Sequence, residues 1–287
     1  ASGFAGSATV TQGQQALLNA LNASEGPTCS IRGAATTLSA LADHVYDMTQ
    51  PPPAGFELAG SWDLGYTGLQ AGIYKGSLEG RDVVVVSFRG TESNRGFFET
   101  LKDWGTDAAS AVTLPGQYIE GQALMHALKE KFPDRDFVIT GHSLGGGVGA
   151  FAAMLEGVPA VVFNAAGPQA AGYLTMGVNS LFGHSPDSLE NIIQVNSTRD
   201  CLTQGIGGLL AGRDWVDSKN VYEIETTGFA GDGRCDHHGI AVTEAALAGG
   251  KPLIRSNQPD SAPFVGSLTD VSGVLWSRGT WKSPPFA

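Results

Sequence analysis

Basic residues are scarce: 17 Lys and Arg stand against 28 Asp and Glu in 287 residues, a formal charge of −11. So few cations leave no electrostatic footprint for nucleic acid and little attraction for anionic lipid heads, so the expected partner is neutral or zwitterionic. Long apolar runs are missing too. None approaches the roughly 18 residues of a membrane-spanning helix, and no transmembrane segment is expected. Three cysteines are too few for a disulfide-built scaffold and their spacing fits no zinc motif, so neither a metal nor another cofactor is expected. The opening residues Ala1-Ser2-Gly3-Phe4 carry no initiator Met and no charged region ahead of an apolar stretch, which suits a mature end after signal cleavage as well as an artificial boundary.

What is plentiful is apolar and small: 42% of the residues are hydrophobic and 40 are Gly. That supports one large core, and a single domain over 1–287 is expected, with 1–55 supplying packing helices and a linker. Helices are expected over Thr11 to Leu21 and over Ala34 to Met48, the second capped by Gly33 and stopped near Pro51-Pro52-Pro53. Leu69 to Lys75 and Asp82 to Phe88 read as an antiparallel pair around Ser77-Leu78-Glu79-Gly80, with Val83 to Val86 apolar on both faces as a central strand should be. Gln117 to Phe132 is an amphipathic helix with Tyr118, Gly121, Met125, Leu128 and Phe132 on one face. Further strands follow at Phe137 to Thr140, Ala160 to Phe163, Asn191 to Val195 and Val221 to Ile224, then a late helix over Ile240 to Leu247. Strands alternating with helices give an α/β fold, a mainly parallel sheet with helices on both faces and ligands at the carboxyl ends of its strands.

The chemistry centres on Gly141-His142-Ser143-Leu144-Gly145-Gly146. In so Gly-rich a chain the bare G-x-S-x-G pattern is weak, and Gly183-His184-Ser185 is a decoy that Pro186-Asp187 breaks. Context separates them: a β-rich run precedes Ser143 and a helix-compatible Ala/Gly run follows, the strand-turn-helix of a nucleophile elbow. Ser143 is thus the expected nucleophile of an ester or acyl hydrolase. A serine hydroxyl needs a general base, and the base needs a carboxylate to hold its tautomer. In the chain order Ser, acid, His, only His237 and His238 come late enough; His44 and His126 lie upstream, His142 is inside the elbow and His184 is in the decoy loop. Only one of the neighbouring pair can reach Ser143, and His238 is preferred. Among Asp187, Asp200, Asp214, Asp217, Asp232 and Asp236, Asp200 is preferred because it lies just past the strand Asn191 to Val195. For the oxyanion hole the backbone N–H of Leu144 is one expected donor, and Thr91, in Phe88-Arg89-Gly90-Thr91, the other.

With these residues in place the chain resembles the class 3 lipase family of α/β-hydrolases. Val84 to Thr91 is similar to the family's strand plus F-R-G-[ST] oxyanion turn, Asp103-Trp104 to its D-W, Val138 to Gly146 to its strand plus G-H-S-L-G-G, and Val195-Asn196 ahead of Asp200 to its approach to the catalytic Asp. Gly145-Gly146-Gly147, Phe163-Asn164-Ala165-Ala166-Gly167 and His238-Gly239-Ile240 look more like bacterial lipase and phospholipase-like members, whereas the fungal H-x-G-F and H-x-x-Y-F segments are absent. The resemblance implies an α/β-hydrolase fold and a Ser-His-Asp carboxylic-ester hydrolase acting on acyl lipids. An esterase for small soluble or aryl esters would use the same triad. A catalytically silent hydrolase fold serving as a binding module is disfavoured by the full set of groups.

Two more expectations follow. A working triad brings Asp200 and His238 together, so Cys201 and Cys235 should share a disulfide while Cys29 stays free, in keeping with export to an oxidising compartment. In Ser93 to Trp104 the apolar residues Phe97, Phe98, Leu101 and Trp104 fall at i, i+1, i+4 and i+7, the stripe of a short amphipathic helix beside the oxyanion turn; it reads as a lid making transient contact with a lipid interface, with core packing as the plainer explanation. A secreted monomer acting on an acyl-lipid or ester substrate is the expected whole.

Overall fold

The computed structural model describes residues 29–64, 67–90, 110–166, 191–204, 220–233 and 235–256. Among these described residues eight strands form one sheet in which spatial order equals chain order. They are β1 (Phe56–Leu64), β2 (Leu69–Leu78), β3 (Arg81–Phe88), β4 (Asp136–His142), β5 (Ala160–Phe163), β6 (Ile192–Ser197), β7 (Val221–Ile224) and β8 (Leu253–Arg255). The pairs β1/β2, β2/β3 and β7/β8 are antiparallel, whereas β3 through β7 run parallel.

Alternation along the parallel strands divides the interior. Val84, Val86, Phe88, Phe137, Ile139 and Val162 face one core, which α2 (Ser110–Lys131) and α3 (Ser143–Glu156) close with Tyr118, Met125, Val148 and Phe151. Val83, Val85, Val138, Val161, Phe163 and Val195 face the other, closed by α1 (Cys29–His44) and α4 (Ile240–Ala248) through Leu38, Leu41, Ala246 and Leu247. A strand buried on both faces must be apolar at every position, which is why Val83 to Val86 form a continuous run. This is the α/β-hydrolase arrangement: helices cover both faces of a mainly parallel sheet.

Several boundaries differ from expectation. α1 does not begin at Gly33; it runs through it from Cys29 and stops at His44. Glycine costs a helix interior about 1 kcal/mol, and burying Ile31, Ala34, Ala35 and Leu38 along one face outweighs that. The hairpin turn is tighter than Ser77 to Gly80, because Glu79 and Gly80 alone take positive φ (49° and 74°), the two-residue turn that suits strand twist. α2 starts earlier, at Ser110, and ends before Phe132, which is 40% exposed rather than packed with Tyr118 and Met125. Strands β1 and β8 have no counterpart in the sequence reading. The helix over Thr11 to Leu21 and the lid stretch with Phe97, Phe98, Leu101 and Trp104 lie outside the described residues.

Candidate active site

Ser143 is the first residue after β4 and opens α3, and the chain turns so sharply there that Ser143 has φ +57°. Such a conformation in a non-glycine residue is held only where its surroundings over-determine it. Here the flanking glycines allow it. A Cβ on Gly141 would lie 2.7 Å from the Gly145 carbonyl oxygen, and one on Gly145 would overlap the Phe88 carbonyl oxygen at the end of β3. The turn therefore presses against the neighbouring strand with no room for side chains. Leu144 follows in the first turn of α3, where a backbone N–H has no intrahelical acceptor and is free to bind an oxyanion. Thr91 lies outside the described residues.

Two more groups converge at the carboxyl end of the sheet. Asp200 lies three residues beyond β6, and His238 sits in the short 3₁₀ turn Asp236–His238 between β7 and α4. His238 Nε2 is 3.0 Å from Ser143 Oγ, and His238 Nδ1 is 2.7 Å from Asp200 Oδ1. The acceptor-only carboxylate puts the proton on Nδ1, which leaves the Nε2 lone pair for the Ser143 hydroxyl. All three residues are at most 2% exposed. Asp200 is itself held by the backbone N–H groups of Leu202 (3.2 Å) and Thr203 (2.8 Å) and by the Thr203 hydroxyl (2.6 Å). Burial, its largest single influence, pushes the carboxyl pKa up; the charge and hydrogen bond of His238, with Thr203 and Leu202, together bring it below the ordinary carboxylate value.

The other candidates go elsewhere. His237 is buried but its Nδ1 pairs with the Thr226 hydroxyl at 2.8 Å. Asp236 accepts the Gly233 N–H, and exposed Asp232 lies 3.6 Å from Arg199. His44 bonds Tyr74, and His126 stands near Glu156. Asp187, Asp214, Asp217 and His184 fall outside the described residues. Cys201 and Cys235 form a disulfide with Cα atoms 5.2 Å apart, linking the residue after Asp200 to the residue three before His238.

Three participants escaped the sequence reading. Asn164, at the end of β5 with φ +43°, donates from Nδ2 to the His238 carbonyl (2.9 Å) and accepts the Ser197 N–H on Oδ1 (2.8 Å), so it joins the loops after β5, β6 and β7. His142 donates from Nε2 to the same carbonyl at 2.7 Å, and its Nδ1 accepts the Tyr46 hydroxyl at 2.9 Å. Burial, reinforced by the charge of His238, lowers the His142 pKa to about 3, so this ring is neutral. A buried polar residue at the carboxyl end of a parallel strand is the signal that marks Asn164 in a sequence; Tyr46 lies in a turn and carries none.

Comparison with known proteins follows the same direction. The sequence model of a family described as phospholipase-like, Tle-like phospholipase domain, matches residues 37–191. An extracellular phospholipase A1 of Serratia liquefaciens is 36% identical over 143 residues, covering 45% of this chain and 41% of that protein. The match thus spans well under half of the relative's length. Among solved structures, the Lip2 lipase of Yarrowia lipolytica is similar with a TM-score of 0.43 and 13% identity over 83% of this chain and 89% of that one. A triacylglycerol lipase of Penicillium expansum gives 0.40 and 14% over 82% and 93%.

Proposed function

Because the chain belongs to the Tle-like phospholipase domain family, we propose that it hydrolyses the acyl esters of phospholipids through an acyl-serine intermediate, with Ser143, His238 and Asp200 as its triad. The observation that carries this reading is the hydrogen-bonded series Ser143 Oγ, His238 Nε2, His238 Nδ1, Asp200 Oδ1, drawn from the end of β4, the turn before α4 and the loop after β6. His238 Nε2 takes the hydroxyl proton as Ser143 Oγ attacks the acyl carbonyl, and Asp200 stabilises the imidazolium that results. The oxyanion is met by the Leu144 N–H, with Thr91 as the second donor. Collapse breaks the ester bond, His238 passes its proton to the departing lysophospholipid oxygen, and a water activated by the same ring then releases the fatty acid and restores Ser143. The relative's name makes the sn-1 ester the first bond to assay. Secretion is supported by that extracellular relative and by the Cys201–Cys235 disulfide, and among the described residues no helix is long and apolar enough to cross a membrane.

The test is hydrolysis of matched phosphatidylcholine, triglyceride and nitrophenyl ester substrates. Ser143→Ala and His238→Ala should each lose on the order of 10⁶-fold in kcat and Asp200→Asn about 10⁴-fold, as in analogous triads. His237→Ala should stay close to the parent. A dead His237→Ala with an active His238→Ala would overturn the choice of base. Turnover of the nitrophenyl ester alone would assign a small-ester esterase instead.

A further inference from the structure

The groups around the His238 backbone define a second series of hydrogen bonds, which runs opposite the triad. The Gly90 N–H, in the turn after β3, donates to the Tyr46 hydroxyl at 3.2 Å. Tyr46 donates to His142 Nδ1 at 2.9 Å, and His142 Nε2 donates to the His238 carbonyl at 2.7 Å. Every direction is fixed, because a carbonyl only accepts and a backbone N–H only donates. The Asn164 amide occupies the other side of the same carbonyl at 2.9 Å. His238 needs such a hold: it stands in a three-residue 3₁₀ turn outside the sheet, so no strand ladder fixes its backbone.

We infer that His142 and Tyr46 are positioning residues for the general base, holding the His238 backbone through its carbonyl so that Nε2 stays within reach of Ser143. This rests on the hydrolase reading above. His142 touches neither Ser143 Oγ nor Asp200 among its hydrogen bonds; it acts through His238, whose ring centroid lies 4.8 Å from its own. Neutrality is part of the role, since a second cation beside the imidazolium formed during turnover would oppose it, and burial keeps His142 uncharged down to acid pH. Tyr46 supplies the acceptor that makes the Gly90 N–H a partner and the donor that holds the His142 tautomer. The same two side chains thereby tie the turn after β3 to the base.

The substitutions that separate this from a packing role are His142→Phe, which keeps a ring but cannot donate, and His142→Gln, whose amide can still donate to the carbonyl and accept from Tyr46. His142→Phe should lower kcat about 100-fold, the scale of a misplacement near 1 Å, with KM little changed. His142→Gln should recover most of that loss. Tyr46→Phe should cost roughly 5-fold in kcat, one hydrogen bond's worth, and little more once His142 is already Phe, because both lie on one path. An unchanged kcat in His142→Phe, a loss confined to KM, or a Gln variant no better than Phe would each overturn the inference. Should His142→Phe fail to fold by near-ultraviolet circular dichroism, Tyr46→Phe decides, and an unchanged kcat there overturns it. Organophosphate labelling of the parent keeps the two readings apart. A parent that takes up no label ends the hydrolase reading and this inference with it, whereas rapid labelling of both parent and His142→Phe ends this inference alone.

Discussion

A proton on His142 would sit in the interior beside the His238 imidazole, and the folded chain resists taking it. The ring's pKa is about 3 when folded, against roughly 6.5 for an exposed histidine. Between those values the unfolded chain binds a proton that the folded one does not, so stability is full above pH 6.5 and declines as the pH falls toward 3. The decline amounts to about 3 kcal/mol by pH 4. Asp200 acts in the same direction but later, since a lowered carboxylate pKa contributes stability that is lost only below its ordinary value of about 3.9. Between pH 6.5 and 4.5 His142 drives the decline, and Glu244, whose carboxyl is held above its ordinary value by burial, opposes it at the acid end. Urea unfolding midpoints of the parent should fall across that interval and those of His142→Gln should fall much less; equal slopes would contradict the account. At this scale the sequence was informative where proximity follows from order and spacing, as for Ser143, Asp200 and a late His, which the fold brings together. It was silent on Tyr46, 96 residues from its partner His142, and it marks Asn164 only as a polar residue at a strand end, without the partner His238 that lies 74 residues on.

Among the elements, the disulfide has the clearest consequence. Cys201 and Cys235 close a loop across a sequence separation of 34 that contains β7, and the chain-entropy model gives such a bond about 4 kcal/mol. Reduction should lower the unfolding free energy by about that much in urea titrations, and the pair Cys201→Ser and Cys235→Ser should reproduce it without reductant. Activity should fall too, since Asp200 and His238 adjoin the two ends of the bond. A change well below 1 kcal/mol would place the constraint in the native packing instead. The strands in the parallel core were legible: β5 and β7 occupy the spans expected of them, β5 as the unbroken apolar run of a doubly buried strand and β7 as Val-Tyr-Glu-Ile, interrupted only by half-buried Glu223. β1 was not, although its side chains do alternate, Phe56, Leu58 and Trp62 half-buried against exposed Glu57, Ser61 and Asp63. The alternation runs unbroken past the register shift between Leu58 and Gly60, but Ala59 stands on its exposed side and Gly60 on its half-buried side, so the polarity pattern is weak. β8, with three residues, is too short to show any period.

For the molecule as a whole, the charge of −11 would set how the proposed phospholipid substrate is approached. Phosphatidylcholine vesicles doped with phosphatidylglycerol should be hydrolysed more slowly than pure ones at low ionic strength, and salt should remove the difference, because the screening length shrinks from roughly 30 Å at 0.01 M to about 8 Å at 0.15 M. Faster turnover on the anionic vesicles would reveal a local basic surface that outweighs the overall charge. The order of the sheet has a different kind of consequence. Each strand lies beside the one before it in the chain, so a polypeptide leaving a ribosome or an export channel could extend the sheet strand by strand, never inserting one between two already paired. Such a chain would complete the β1–β3 meander well before Ser143 appeared, gain Ser143 and Asp200 in turn, and assemble the proposed triad only when the segment bearing His238 docked against Asn164 and His142. A nascent molecule would thus stay inert until nearly all of its sheet existed.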